Sequence, residues 1–242
     1  MTISRQYRVQ YPQVVAVLGP SDLEYLATIL GSSVSAYILL LEKCHCDLML
    51  YSQSYESKIN DILRLRQMAL VPMLSRCDFN SELGNSEPFI RIVDKPLASK
   101  ATAFIMHSSG SSGTPKPIFH THKRCLQAFR NGFPYSVLVT LPLFHAYGFS
   151  SFWRALEGRT LLYLFNWHLP LTVENVVETL RAVKPQMVST VPYTLKLFAE
   201  SPLGIEALKN CTLVTYHGSA CPDELGHRLV ESGIHLVGHI GS

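Results

Sequence analysis

The sequence predicts an α/β protein whose mainly parallel sheets are flanked by helices. Three observations predict it. Short apolar runs alternate with helix-length amphipathic segments through most of the 242 residues. Several of those runs end in loops rich in Gly, Ser, Pro or His, where open parallel sheets hold their ligands. The chain is 47% hydrophobic and only 16% charged, enough apolar surface to fill a core and too little charge for a disordered chain.

In order, 14–18 reads as a buried strand followed by a Gly-Pro-Ser turn, and Ser21 or Asp22 can cap a helix to about Leu30. Residues 47–51 form the next strand and 55–68 a helix. The polar stretch 78–100 reads as a surface loop before the apolar run 101–106. Further strands are expected at 136–141, 160–165, 186–190, 212–216 and 235–239, with helices at 150–156, 173–183, 193–199 and 223–232. Tyr193 and Phe198 read as helix core. Tyr25 to Leu41 is uncharged and nearly long enough to span a membrane, but Gly31 and the serines after it break it into two buried elements.

The net charge of +3 is weak for this length, and no basic run accompanies it, so nucleic acid is not an expected partner; nor is a membrane, given the break within Tyr25–Leu41. Six scattered cysteines fit reduced thiols in a cytoplasmic protein, and no signal-peptide core opens the chain. The Cys-x-Cys spacing of Cys44 and Cys46 is too tight for a zinc knuckle and has no second pair, so no metal site is expected there.

The most distinctive segment is the run from Ser108 to Lys116. Ser108, Ser109, Ser111, Ser112 and Thr114 supply hydroxyls, Gly110 and Gly113 let backbone N–H groups converge, and Lys116 supplies a positive charge. Composition alone allows a Ser/Gly linker. The strand-like run before it, the fixed Pro115-Lys116-Pro117 and the Ile118–His122 segment after it favour a phosphate-gripping loop at the end of a buried strand. A Walker loop needs its lysine to open a helix, and prolines on both sides of Lys116 prevent that. Two further loops, Pro142–Gly148 and His217–Ala220, are expected at the same edge of the sheet. His120 and His122 read as structural. Alone, His145 reads as a core histidine tied to a backbone carbonyl; its neighbouring motifs make it a site candidate.

These segments resemble the acyl-adenylate-forming, AMP-binding superfamily. The 108–116 loop resembles its phosphate loop, Pro142–Gly148 its next motif, and His217–Pro222 the segment that lines adenine. The wording around 108–122 and Lys184–Tyr193 is similar to fungal adenylation domains of the nonribosomal-peptide-synthetase-like, carboxylic-acid-reductase type. The resemblance implies ATP-dependent activation of a carboxylic acid to acyl-AMP in secondary metabolism, with Mg2+ and oriented donors offsetting the phosphate charge. It implies that Ser108 to Thr114 and Lys116 hold the β- and γ-phosphates, that His145 lies near the carboxylate, and that Gly218, Ser219 and Ala220 pack on adenine. No aspartate accompanies His145, so an aryl or acyl acid is expected over an α-amino acid.

The resemblance also implies a longer protein. Relatives continue past Ser242 with a Thr-Glu whose acid helps bind Mg2+, and they carry an aromatic residue where Ile240 stands. Their C-terminal subdomain, and the carrier and reductase or thioesterase domains with the thiol acceptor, are not within 1–242. A strand after Leu30 is also expected to be missing. The expectation is an incomplete adenylation domain over 1–242, partial N-terminal subdomains with little or no turnover as an isolated chain. The alternative is a non-catalytic ATP-binding or interaction protein, or the product of a pseudogene.

Overall fold

Apolar residues at consecutive strand positions need cover on both faces, and the chain meets that need by winding helices between parallel strands. A computed structural model describes residues 15–18, 34–52, 55–72, 94–108, 116–130, 132–143, 145–166 and 168–239. Two units divide at Arg124 and Cys125. Among the described residues no helix is long and apolar enough to cross a membrane. The expected helix after Ser21 lies outside the described residues, as does the first part of the Tyr25–Leu41 segment.

The first unit holds β1 (Val15–Leu18), α1 (Val34–Lys43), β2 (Leu48–Tyr51), α2 (Glu56–Leu65) and β3 (Ala69–Pro72). The three strands form a parallel sheet in the order β1-β2-β3, with Val15 beside Leu48 and Leu48 beside Ala69. Ile59 and Ile62 are the buried stripe of α2. That helix stops at Leu65, short of the expected Met68, because Arg66 turns extended. Arg66 then reaches Asp47 at 2.8 Å, tying the helix end to the start of β2. Residues 66–68 are irregular and lead into β3, a strand too short and too mixed to be legible beforehand.

The 94–100 portion of the expected loop is surface chain but not loop. Asp94 accepts a hydrogen bond from the Leu97 N–H at 3.2 Å and caps α3 (Lys95–Lys100), with Pro96 in its first turn. Then β4 (Thr102–Ser108) and β5 (Lys116–Thr121) pair antiparallel as a separate two-stranded sheet. This corrects two expectations. The strand feeding the Ser/Gly loop is half-buried rather than buried, and its hairpin belongs to neither parallel sheet, so the three loops do not share one sheet edge. The prolines act as expected: Lys116 opens a strand.

After α4 (His122–Phe129), the second unit is regular: β6 (Val137–Val139), α5 (Ala146–Gly158), β7 (Leu162–Leu164), α6 (Val173–Val183), β8 (Met187–Thr190), α7 (Pro192–Ala199), α8 (Pro202–Lys209), β9 (Leu213–Tyr216), α9 (Asp223–Glu231) and β10 (Leu236–Gly238). Its five strands are all parallel, in the order β10-β9-β8-β6-β7. Strand alternation sorts the core into two faces. Leu138, Val188 and Val214 pack with Val176, Val177 and Leu180 of α6, Leu195 and Phe198 of α7, Leu208 of α8 and Leu229 of α9. Val137, Val139, Met187 and Leu213 pack on the other face, where Ser151 and Ala155 of α5 share a recess with Val137 and Met187.

Local signals explain the helices. Thr172 accepts from the Asn175 N–H and Ser201 from the Gly204 N–H, and Pro192 and Pro202 lie in the first turns of α7 and α8. The Ser201-Pro202 start of α8 and the Thr121 hydroxyl accepting from the Arg124 N–H in the first turn of α4 are cap signals that periodicity alone passed over. Phe198 is core as expected, but Tyr193 is not: it points away from the cluster and is 66% exposed.

Candidate functional site

The carboxyl edge of the five-stranded sheet gathers a ring cluster from three chain segments. Chain leaving β6 turns through Pro142 and enters α5 at Ala146, so the Pro142–Gly148 segment is half loop and half helix. His145 is the N-cap, its Nδ1 accepting from the Tyr147 N–H at 3.4 Å. That acceptance leaves the ring proton of neutral His145 on Nε2. Gly148 is buried where a Cβ would collide with the Pro142 carbonyl, so only glycine lets the first helical turn close on the loop.

Tyr147 is the hub. Its ring packs on His217, centroids 3.3 Å apart and planes tilted by 32°, and meets His239 edge-on at 5.3 Å. The Tyr147 hydroxyl lies 3.3 Å from Thr215 Oγ1 and 3.2 Å from His239 Nδ1. Thr215 donates its own proton to the Val188 carbonyl at 3.4 Å. Tyr147 therefore donates to Thr215 and accepts from His239, which fixes the Nδ1–H tautomer of His239. The relay runs from the end of β10 through α5 and β9 to β8.

All three histidines are held neutral. Burial pushes His217 down to about 3, with His145, His239 and Arg154 adding like-charge repulsion. Burial also lowers His145, and burial and then Arg154 lower His239. The Arg154 guanidinium lies 5.7 Å from the centre of the Tyr147 ring, with Nε donating to the Ala128 carbonyl at 3.3 Å. His217 is 7% exposed and its Nε2 is buried without a hydrogen-bond partner. Below the hub, Phe133, Tyr135, Tyr147, Ser151 and Arg154 line a small recess with one cation and no carboxylate. The set is positive or neutral throughout, which suits a negatively charged ligand.

The sequence-derived candidates fall into two groups. His145 and the Gly218–Ala220 strip lie at this edge: the His145 and His217 rings are 5.8 Å apart, and Gly218 turns at φ +92° so that Ser219 and Ala220 are exposed beside His217. Ser108 and Lys116 are register partners at the mouth of the β4–β5 hairpin, with Lys116 exposed. Ser109, Gly110, Ser111, Ser112, Gly113 and Thr114 lie outside the described residues. Sequence reasoning passed over Tyr147, Arg154, Thr215, His217 and His239 as site residues. Tyr147, Ser151 and Arg154 stand at i, i+4, i+7, a spacing that puts them on one helix face and offered a signal.

As to what could be held, residues 218–220 leave exposed backbone beside His217, whose Nε2 is buried. Among the described residues no group of three His, Cys, Asp or Glu side chains is placed to hold a metal ion, so no protein seat for Mg2+ is assigned.

Comparison with known proteins agrees in extent. A sequence model of the family described as AMP-binding enzyme matches residues 14–241. An adenylate-forming reductase of Aspergillus terreus is 27% identical over 190 residues, a match to 71% of this chain and 17% of that protein. A carboxylic acid reductase of Neurospora crassa is 23% identical over 269 residues, a match to 94% of this chain and 25% of that protein. Among solved structures, a benzoate CoA ligase from Burkholderia xenovorans LB400 shares the fold with a TM-score of 0.75 at 18% identity, over 99% of this chain and 52% of that one. The chain thus spans a quarter or less of these curated relatives and about half of the solved ligase.

Proposed function

The chain belongs to the AMP-binding enzyme family, and from that premise we propose that it binds ATP and an aryl or acyl carboxylic acid and directs formation of the acyl adenylate. The observation that carries this reading is the convergence of His145, His217 and His239 on Tyr147 at one sheet edge, with no carboxylate in the cluster among the described residues. Among the described residues that line the recess below Tyr147, an ammonium group would find no counter-ion, whereas a carboxylate would find Arg154.

In the reaction a carboxylate oxygen attacks the α-phosphorus of ATP and the bond to pyrophosphate breaks. Both partners are anions, so the protein must hold them together and offset their charge. His145, kept neutral by burial, would donate to the acid without itself titrating. Gly218, Ser219 and Ala220 would pack against adenine through their backbone, while Ser108 to Thr114 and Lys116 would grip the β- and γ-phosphates. Mg2+ supplies charge neutralisation on the phosphates when bound with the nucleotide. A carrier-protein or CoA thiol as acceptor belongs to a longer form.

The test is ATP–pyrophosphate exchange with a panel of aryl, fatty and amino acids, run beside calorimetric titration of ATP. For these 242 residues tested alone we expect ATP binding with weak exchange that favours aryl or fatty acids, and binding weakened about tenfold by Lys116→Ala. Exchange driven only by amino acids would overturn the substrate reading. ATP binding with no exchange for any acid would assign the polypeptide to the non-catalytic alternative, and no ATP binding would overturn both.

A further inference from the structure

We propose that the groove between α6 and α8, at the amino edge of the five-stranded sheet, binds a small amphipathic monocarboxylate. α6 runs into β8 and α8 into β9, so the C-terminal ends of both helices open at the edge opposite the His145–His239 cluster. Between them lies a groove of about 410 Å3, within the size range of small-molecule sites. Its floor is apolar, formed by Leu180, Ala207 and the half-buried Cys211, and Arg181, Lys184 and the exposed Leu203 stand at its rim.

Charge selects the occupant. Glu206, the acid at this rim, is engaged by Lys209 at 3.6 Å, whereas Arg181 and Lys184 carry no ion pair among the described residues. The carbonyl ends of two helices attract cations, which accounts for Arg181 near the end of α6. It does not account for the apolar floor left open beneath the cations. Lys184 adopts φ 45° to end α6, which carries the chain from the helix into buried Pro185 and leaves the Lys184 side chain exposed at the rim. Two uncommitted cations above an apolar slot match a ligand with one anionic head and a short hydrocarbon body. Cys211 is no competing nucleophile, since burial pushes its thiol up to about 11.

Sodium octanoate and 1-octanol serve as probes in calorimetric titrations of the full chain, with 1H–15N shift mapping to locate them. Saturable octanoate binding is expected in about the millimolar range, with shifts at the Lys184, Leu203 and Cys211 amides and octanol about tenfold weaker. Arg181→Glu/Lys184→Glu should weaken octanoate about tenfold; if that variant does not fold, Arg181→Gln/Lys184→Gln should weaken it about threefold. Lys116→Ala should leave the groove shifts unchanged, so this result stands or falls apart from nucleotide binding. Equal binding of octanol and octanoate, indifference to the rim substitutions, shifts confined to Tyr147, His217 and His239, or no saturable binding would each overturn the proposal.

Discussion

Acidification should destabilise the second unit, and His217 should be the main reason. In the unfolded chain this ring titrates near 6.5; in the folded chain burial first, and then His145, His239 and Arg154, hold it at about 3. A histidine with a lowered folded value contributes stability above its unfolded value and loses it as pH falls, because only the unfolded chain gains the proton. Between pH 7 and pH 5 this linkage costs about 2 kcal/mol, most of the way down the 1.4 kcal/mol per unit slope that one proton imposes. The second unit runs from Cys125 to Ser242, and a unit of that size has an unfolding entropy of about 0.25 kcal/mol/K near its midpoint, so Tm should fall by about 8 °C. The control is His217→Phe, which keeps a ring against Tyr147, removes the orphaned Nε2 and removes the titration. Melts followed by circular dichroism at pH 7, 6 and 5 should show the fall in the native chain and a much shallower one in the variant. The residual slope belongs to His145 and His239, whose values are also lowered. Equal falls in both chains would refute the reasoning, as would a His217 ring resonance that titrates near pH 6.5 in the folded protein.

The relay and the packing around it give three more outcomes. Tyr147→Phe keeps the ring contact but breaks the hydrogen bonds to Thr215 and His239, and should lower urea stability by about 1–2 kcal/mol with an unchanged m value. Gly148→Ala forces a Cβ onto the Pro142 carbonyl and should cost about 3 kcal/mol, read as a lower Cm; a change below about 0.5 kcal/mol would mean the loop moves freely. Phe198→Ala empties the largest fully buried side chain of the second unit, and a loss of about 3–5 kcal/mol is expected in the same titration.

What was legible in the sequence follows from which forces are local. The second unit could be read almost strand by strand, because its β-strands are apolar at successive positions and its helices carry their own caps, as at Thr172 for α6. Residues 173–183 form a helix with the expected bounds for that reason. The β4–β5 hairpin shows the limit. An apolar run before a Ser/Gly loop reads the same whether its partner is a parallel neighbour or the chain returning after the loop, since pairing direction is set by tertiary context rather than by residue type. Tyr193 failed for a related reason: one turn of α7 offers both Tyr193 and Leu195, and only packing against the sheet decides that Leu195 is the buried one.

The site divides the same way. Motif reading found His145 and Gly218–Ala220 because their residue types are unusual where they stand. It passed over Tyr147, Thr215, His217 and His239, none of which is unusual alone. Their meaning comes from a hydrogen-bond relay that crosses β8, β9, β10 and α5. Each strand of that relay is fixed in register by its parallel neighbour, Val188 beside Val214 and Thr215 beside Val237, so the relay follows from the sheet and not from any motif. A shift of one residue in β9 would turn Thr215 to the other face and bring Val214 or Tyr216 beneath the Tyr147 hydroxyl. The apolar core that sets the register is therefore also what aligns the polar edge, and core substitutions such as Phe198→Ala should disturb His239 and Tyr147 resonances without touching either residue.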